Sequence, residues 1–237
     1  MATSFDDLRE RGFPALTWSQ GRPAGPILAA VEELTALVRA YERYAEAGML
    51  FICHSRGGLI ARKYLESGDD RVRGVITLGS PHRGTTLARW AGYVYPAALL
   101  LNRIIESYRR REVLSAVQRI CQFLTSTGLK ELLPGSSFFA DLKEERQRNT
   151  FYLSFGGTNP DIFRIKSLSL HELAARVIPG RLIPDEVRVG YGDGLVSAAS
   201  SVLSYADEHR DFHVHHVQIL LDREVREHLV RRVEALL

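Results

Sequence analysis

A run of apolar residues that leads into a serine between small residues constrains this sequence more than any other feature. Met49–Cys53 is too short for a helix and shows no polar alternation, which is typical of a strand buried on both faces. The next residues read His54-Ser55-Arg56-Gly57-Gly58, and Gly57–Glu66 has the pattern of a helix. In parallel sheets covered by helices, a turn of this kind can expose a serine at the sheet edge. The segment therefore predicts an α/β fold with Ser55 at a functional position.

The rest of the chain alternates strand-like and helix-like segments. Apolar residues recur every three or four positions from Ile27 to Tyr44, which predicts an amphipathic helix that Gly48 ends. Four further segments are predicted to be strands: Phe13–Trp18, Val72–Leu78, Thr150–Phe155 and Val187–Tyr191. Glu224–Leu237 is predicted to be a closing helix. This alternation is typical of a doubly wound, mostly parallel sheet with right-handed crossovers. We expect one α/β domain over residues 1–237.

Composition and charge exclude several classes of protein. The 237 residues are 45% hydrophobic and 25% charged, which fits one folded domain. A net charge of +3 with scattered basic residues gives no reason to expect a nucleic-acid partner. Two isolated cysteines, Cys53 and Cys121, suggest neither disulfides nor a cysteine metal site, and no cofactor is expected. No apolar stretch reaches the roughly 18 to 20 residues of a membrane span, and the acidic N-terminus does not resemble a secretory signal. We therefore expect a cytoplasmic protein. The sequence leaves the oligomeric state undetermined.

A long helical segment without strand candidates follows the strand Val72–Leu78. We interpret it as a helical cap inserted at about residues 86–135. Its apolar side chains, Trp90, Tyr93 and Leu100 among them, are candidates for an acyl-binding wall or for a lid that contacts a lipid interface. Ordinary helix packing is the more common reason for such side chains and is the alternative.

Ser55 has the surroundings that a nucleophile elbow requires. In this turn the serine takes a strained backbone conformation, and the residues two before and two after it must be small. Gly57 meets this demand, and Cys53 meets it approximately. The backbone N–H of Arg56, at the start of the following helix, would point toward an oxyanion on a substrate. The alternative is an ordinary tight turn between a strand and a helix.

Four segments occur in an order shared with a known superfamily. They are the serine segment, Leu78-Gly79-Ser80-Pro81-His82-Arg83-Gly84-Thr85, Leu132-Leu133-Pro134-Gly135-Ser136 and Gly192-Asp193-Gly194-Leu195-Val196. The last three resemble the "LGTPHRGS", "L-x-P-G-S" and "D-G-x-V" segments of bacterial lipases and related α/β hydrolases. The resemblance covers most of residues 49–237 and implies an α/β-hydrolase fold with a triad in the order Ser, Asp, His.

Asp193 is the candidate acid of that triad. It lies between two glycines, directly after the predicted strand Val187–Tyr191, and a loop at a strand end is a normal place for such an acid. A turn aspartate that bonds its own backbone is the alternative. The competing carboxylates are Asp185, Asp207 and Asp211.

His216 is the candidate base. In similar lipases the catalytic histidine precedes an apolar step into the last helix, and His216-Val217-Gln218-Ile219-Leu220 fits this pattern best. If Phe212–Leu220 is a strand, His213 and His215 share the face opposite to His216. Either of them is the fallback base. A metal site at these histidines is an alternative that lacks carboxylate or cysteine ligands nearby.

These residues indicate a serine hydrolase of lipophilic carboxylic esters, a lipase or carboxylesterase that acts through an acyl-enzyme. One part of the pattern is missing. In similar hydrolases an oxyanion segment and further strands precede the elbow, and nothing before Ser55 resembles them. Three explanations stay open: a truncated product, another segment or subunit in their place, or an impaired homologue that binds lipids or regulates.

Overall fold

A computed structural model describes residues 3–22, 24–45, 48–87, 89, 127–162, 164–165, 168–169, 180 and 183–236. The main sheet contains four strands: β1 (Met49–His54), β2 (Val72–Leu78), β3 (Phe151–Gly157) and β6 (Glu208–Phe212). Two short strands, β4 (Arg164–Ile165) and β5 (Leu168–Ser169), form a separate antiparallel pair. The helices are α1 (Ser4–Glu10), α2 (Ile27–Ala40), α3 (Glu42–Ala45), α4 (Gly57–Leu65), α5 (Thr127–Glu131), α6 (Ser137–Asp141), α7 (Ala198–Ser201) and α8 (Arg223–Leu236). Within these residues no helix is long and apolar enough to cross a membrane.

The main sheet is parallel throughout, in the order β1-β2-β3-β6. Its register places His54 opposite Leu78, and Leu78 opposite Phe155. Because all four strands run in the same direction, their carboxyl ends meet at one edge. The loops that follow β1, β2 and β3 therefore start close together, although they are far apart in the sequence.

Helices cover both faces of this sheet, as predicted for a doubly wound fold. One buried cluster joins α2, α4 and the segment around α5 and α6 to the sheet through residues such as Leu34, Ile60 and Tyr152. The other joins α1 and α8 to the opposite face through fully buried residues such as Ile76 and Leu229. Apolar residues of β2 and β3 contribute to both clusters. This explains why the sequences of these strands are nearly continuous apolar runs.

The predicted strand Phe13–Trp18 is wrong. These residues form no regular element, and their two aromatic side chains lie on different sides of the sheet. Phe13 packs against the cluster of α1 and α8, whereas Trp18 packs against that of α2 and α4. A short apolar run becomes a strand only where a neighbouring strand supplies hydrogen bonds, and this run has no such neighbour in the described part of the chain.

The predicted strand Val187–Tyr191 is also wrong. Asp185–Val187 is a 3-10 turn, and Val189 and Tyr191 are exposed rather than buried. The segment Phe212–Leu220 is a strand only up to Phe212, and it ends in a 3-10 turn over Gln218–Leu220. His213, His215 and His216 therefore do not alternate between two faces of a strand.

The described residues contain no strand before β1, and β1 pairs only with β2, so β1 lies at an edge of the sheet. Most of the predicted cap, 90–126, falls outside the described residues. Its two ends meet: the Thr85 N–H donates to the carbonyl oxygen of Leu132 at 2.8 Å. An insertion between these residues can therefore leave the sheet undisturbed.

A buried arginine connects α4 to the loop after β2. Arg62 donates to the carbonyl oxygen of His82, at 3.2 Å, and to the carboxylate of Glu144, at 2.6 Å. His82 is itself buried and contacts Thr77 Oγ1 through Nε2, at 3.0 Å. Burial, reinforced by the Arg62 charge, holds the pKa of His82 well below its usual 6.5.

The neutral state of His82 predicts a stability that declines in acid. Below pH 6.5 the unfolded chain takes up a proton at this histidine that the native protein does not bind. The free energy of unfolding therefore decreases as the pH is lowered, and this residue contributes about 1.4 kcal/mol per pH unit to the decrease. Between pH 6 and pH 5, urea unfolding should show a decline in this free energy that His82→Gln reduces by about that amount. Equal declines in the two proteins would contradict the prediction.

Candidate active site

Ser55 occupies the turn between β1 and α4 in a left-handed backbone conformation. Its φ is +54°, and no other non-glycine residue in the described part of the chain has a positive φ. Its N–H donates to the Leu78 carbonyl oxygen at 2.9 Å, so the turn is fixed to the end of β2. A serine held in a conformation that costs about 1 kcal/mol or more is typical of a functional position.

Two glycines allow α4 to begin directly behind this turn. A Cβ added at Gly57 would lie 3.6 Å from Cys53 Cβ, an ordinary contact. One added at Gly58 would lie 2.7 Å from Ser80 Cβ, which is too close. The strictest demand for glycine is therefore at Gly58, where α4 crosses the loop after β2. The sequence pattern pointed to Gly57 instead.

Arg56 is the first residue after the serine. The N–H groups at a helix start have no acceptor within the helix, so the Arg56 N–H is available to an oxyanion beside Ser55. Its buried side chain bonds the loop before α2, through the carbonyl oxygen of Gly25 and the side chain of Gln20. These bonds place the loop of residues 20–25 against the elbow, which the sequence did not suggest.

Asp193 and His216 form a buried pair. Asp193 Oδ2 lies 2.7 Å from His216 Nδ1, and both side chains are almost fully buried. Asp193 Oδ1 accepts from the backbone N–H groups of Leu195, at 2.9 Å, and Val196, at 2.7 Å. Because an ionised carboxylate can only accept, Nδ1 of His216 carries the proton and Nε2 is left as a proton acceptor.

The pair lies at the carboxyl edge of the sheet, over the end of β2. A Cβ added at Gly79 would lie 3.1 Å from Asp193 Oδ2 and 3.2 Å from His216 Nδ1. His54, the residue before Ser55, contacts the carbonyl oxygen of His216 through Nε2, at 2.9 Å. The structure therefore brings the acid and base candidates together beside the turn that carries Ser55.

Gly79 leads to a testable prediction. Its φ is +57°, so Gly79→Ala introduces backbone strain as well as a methyl group against the Asp193–His216 pair. We expect a loss of about 100-fold in kcat, since a displacement of about 1 Å suffices for that. Gly68→Ala is the matched control because Gly68 also has a positive φ, +78°, but has open space around it. Both variants should lose about 1–2 kcal/mol of stability. Equal activity of the two in an ester-cleavage assay would refute the prediction.

A buried glutamate supports the loop of Asp193. Glu186 accepts from the backbone N–H of Thr86, at 2.6 Å, and from its hydroxyl, at 2.9 Å. Its own carbonyl oxygen accepts from the Gly194 N–H at 2.8 Å. The glutamate thus ties the acid loop to the chain just after β2. Nothing in the local sequence marked Glu186, because the partners of its side chain lie about 100 residues away.

The competing side chains have other partners. Asp185 pairs with Arg188, Asp207 with Arg146 and Asp211 with His209. His213 is exposed, and His215 accepts from the Gln218 N–H. Burial lowers the pKa of His215. Of the histidines considered, His216 is the one that contacts Asp193. No group of three or more potential metal ligands occurs in the described residues. Trp90, Tyr93 and Leu100 lie outside them.

A second serine–histidine–aspartate arrangement occurs on β3 and β6. Ser154 Oγ lies 2.8 Å from His209 Nδ1, and His209 Nε2 lies 3.1 Å from Asp211 Oδ1. Ser154 is fully buried in the middle of a strand, at 0% exposure, and no helix begins behind it. A substrate carbonyl cannot reach this serine, so the cluster is structural.

The comparisons with known proteins agree with this fold. The mature lipase BlEst2 from Bacillus licheniformis is 18% identical, with a TM-score of 0.51 over 90% of this chain and 76% of that chain. A hydrolase from Oleispira antarctica is 12% identical, with a TM-score of 0.52 over 92% of this chain and 75% of that chain. At these identities the likeness shows the fold. No curated protein matches the sequence.

The matching family profile, together with the parallel sheet and the structural neighbours, identifies this protein as a member of the α/β-hydrolase superfamily. The family profile described as palmitoyl protein thioesterase matches residues 20–174, more than half of the 237 residues. The chain therefore belongs to the palmitoyl protein thioesterase family. Membership identifies it as a hydrolase of the class that cleaves esters or thioesters.

Proposed function

We propose that the protein is a serine acyl hydrolase in which Ser55 is the nucleophile, His216 the base and Asp193 the acid that orients it. The observation that carries the proposal is the buried Asp193–His216 pair, 2.7 Å apart, in which His216 also contacts His54, the residue before the left-handed Ser55. The serine at the end of β1, the acid and the base come from different parts of the chain. Their meeting at one sheet edge is the arrangement that activates a serine.

The reaction follows from the protonation of the pair. His216 Nε2 accepts the proton of Ser55 Oγ while Oγ bonds to the acyl carbon, and the carbonyl oxygen becomes an oxyanion near the Arg56 N–H. The imidazolium is stabilised by Asp193 and returns its proton to the leaving alcohol or thiol as the acyl bond breaks. Water then attacks the acyl-enzyme with His216 again as base, which releases the carboxylic acid and restores Ser55.

Lipophilic acyl esters are the proposed substrates, and the family membership adds acyl thioesters to this class. Trp90, Tyr93 and Leu100 of the cap remain the candidates for the acyl-binding wall, and the cap for contact with a lipid interface. No metal or cofactor takes part in the proposed steps. A series of p-nitrophenyl esters of increasing chain length, each matched with a thioester of the same acyl group, measures both preferences.

A fluorophosphonate probe tests the nucleophile. It phosphonylates an activated serine, and mass spectrometry of the labelled protein identifies the residue. We expect label on Ser55 in the wild type and in Ser154→Ala, and none in Ser55→Ala. Ser154 is the matched control because it also contacts a histidine. Absence of label from folded wild-type protein, or label elsewhere, would overturn the proposal.

An impaired lipid-binding or regulatory homologue is the second candidate. It is favoured by the edge position of β1, since the described residues supply no strand beyond β1, where similar hydrolases have further strands and an oxyanion segment. Loss of one donor lowers turnover by about 100- to 1,000-fold. The probe separates the two candidates: a homologue that only binds would retain a lipophilic ester, for example a fluorescent one, without label or turnover.

A further inference from the structure

His54 makes a contact that the proposed reaction does not use. Its Nε2 lies 2.9 Å from the carbonyl oxygen of His216, a residue 162 positions away. The two imidazole rings also pack together, with centroids 4.7 Å apart and planes inclined at 46°. His54 is the residue directly before Ser55. One side chain of the nucleophile strand therefore touches both the backbone and the ring of the proposed base.

The direction of this bond is fixed by chemistry. A carbonyl oxygen only accepts, so Nε2 of His54 must carry a hydrogen and donate it. Burial lowers the pKa of His54 to about 3, with the neighbouring His216 acting in the same direction, so His54 stays neutral at neutral pH. A neutral ring is compatible with the positive charge that His216 takes on during acyl transfer, whereas a second cation at 4.7 Å would oppose it.

The bond from His54 holds His216 from a second side. On the acid side, His216 is held by its ring bond to Asp193, and its backbone N–H donates to the Asp193 carbonyl oxygen at 2.9 Å. These contacts orient the base relative to the acid loop and not relative to Ser55. The His54 bond joins the same residue to β1, which ends at Ser55. The base is thus held between the acid loop and the nucleophile strand.

We propose that His54 is a positioning residue that holds His216 at the working distance from Ser55 through its Nε2–H bond to the His216 carbonyl oxygen. This inference rests on the proposed function, in which His216 is the base. Since the bond acts on alignment and not on the substrate, its loss should lower kcat and leave KM unchanged. Misplacement of a catalytic group by about 1 Å lowers a rate by about 100-fold.

Two substitutions at the same position test the bond apart from the ring. His54→Phe keeps an aromatic ring and removes the donor, and His54→Gln removes the ring and places an amide N–H near the position of Nε2. With p-nitrophenyl butyrate we expect kcat to fall by about 100-fold in His54→Phe, with KM within about twofold, and to recover to within about fivefold of wild type in His54→Gln. His213→Phe, the same change at an exposed histidine of the same loop, is the control and should match the wild type.

Equal losses in His54→Phe and His54→Gln, or a change in KM without one in kcat, would overturn the inference. A second measurement does not depend on turnover: amide hydrogen exchange of residues 213–220 should accelerate in folded His54→Phe and remain at the wild-type rate in His54→Gln. If the wild type is neither labelled by the probe nor active, the proposed function fails, and the exchange rates alone decide whether His54 holds this loop. Unchanged exchange in His54→Phe would then reject the positioning role.

Discussion

Replacing Ser55 or His216 by alanine is expected to lower kcat by about 10⁴- to 10⁶-fold, and replacing both to lower it no further. The two side chains act as one unit, because the serine is a weak nucleophile without the base and the base has no function without the serine. Pre-steady-state and steady-state kinetics with a p-nitrophenyl ester measure the three variants. Circular dichroism and thermal unfolding establish that each is folded.

The matched control for the base is His213→Ala. His213 lies three residues before His216 but is exposed, so its removal should leave kcat within about twofold of wild type, as most surface changes do. Additive losses in the Ser55→Ala/His216→Ala double variant would contradict a shared step. A large loss of kcat in His213→Ala with a small loss in His216→Ala would show that His213, and not His216, is the base.

Asp193→Asn is expected to lower kcat by about 10⁴-fold with little change of structure. Oδ1 would still accept from the N–H groups of Leu195 and Val196, so the new amide nitrogen takes the place of Oδ2 opposite His216. An amide nitrogen donates, which forces His216 Nδ1 to accept and moves the ring proton to Nε2. In that tautomer the base can no longer take the proton of Ser55.

Asp211→Asn provides the comparison. Asp211 also contacts a histidine, at 3.1 Å from His209, but in the structural cluster around the buried Ser154. This variant should keep kcat within about twofold of wild type. The steady-state rate of ester cleavage from pH 6 to 9 decides between the two carboxylates. An Asp193→Asn variant with wild-type activity would remove Asp193 from the proposed triad.

Local sequence was sufficient for the elements that carry the serine. The apolar run of β1, the glycines of α4 and the closing helix α8 appear in the structure close to the predicted bounds, since their periodicity depends on neighbouring residues alone. The left-handed backbone conformation of Ser55 is also a local property, because the tight turn from β1 to α4 requires it. The α/β class follows from the alternation of these elements.

Strands that depend on distant partners were predicted less well. Phe13–Trp18 and Val187–Tyr191 have the β-forming residues of a strand, yet neither forms one. A strand is stabilised by hydrogen bonds to its neighbour, and composition alone does not show whether a neighbour is present. The placement of Asp193 on a loop was right for a different reason: Glu186 and the ends of β2 and β3 hold that loop, not a preceding strand.

By itself, the sequence determined the class of fold, the position of Ser55 in its turn, and the order in which serine, aspartate and histidine candidates occur. Only the tertiary structure decided which histidine contacts which aspartate, because the sequence pattern favoured His216 as the base but left His213 and His215 as alternatives. It also showed why Gly58 and Gly79 must be small and how His54 contacts His216 across 162 positions. Each of these depends on a distance between residues far apart in the chain, and such distances exist only once the sheet has formed.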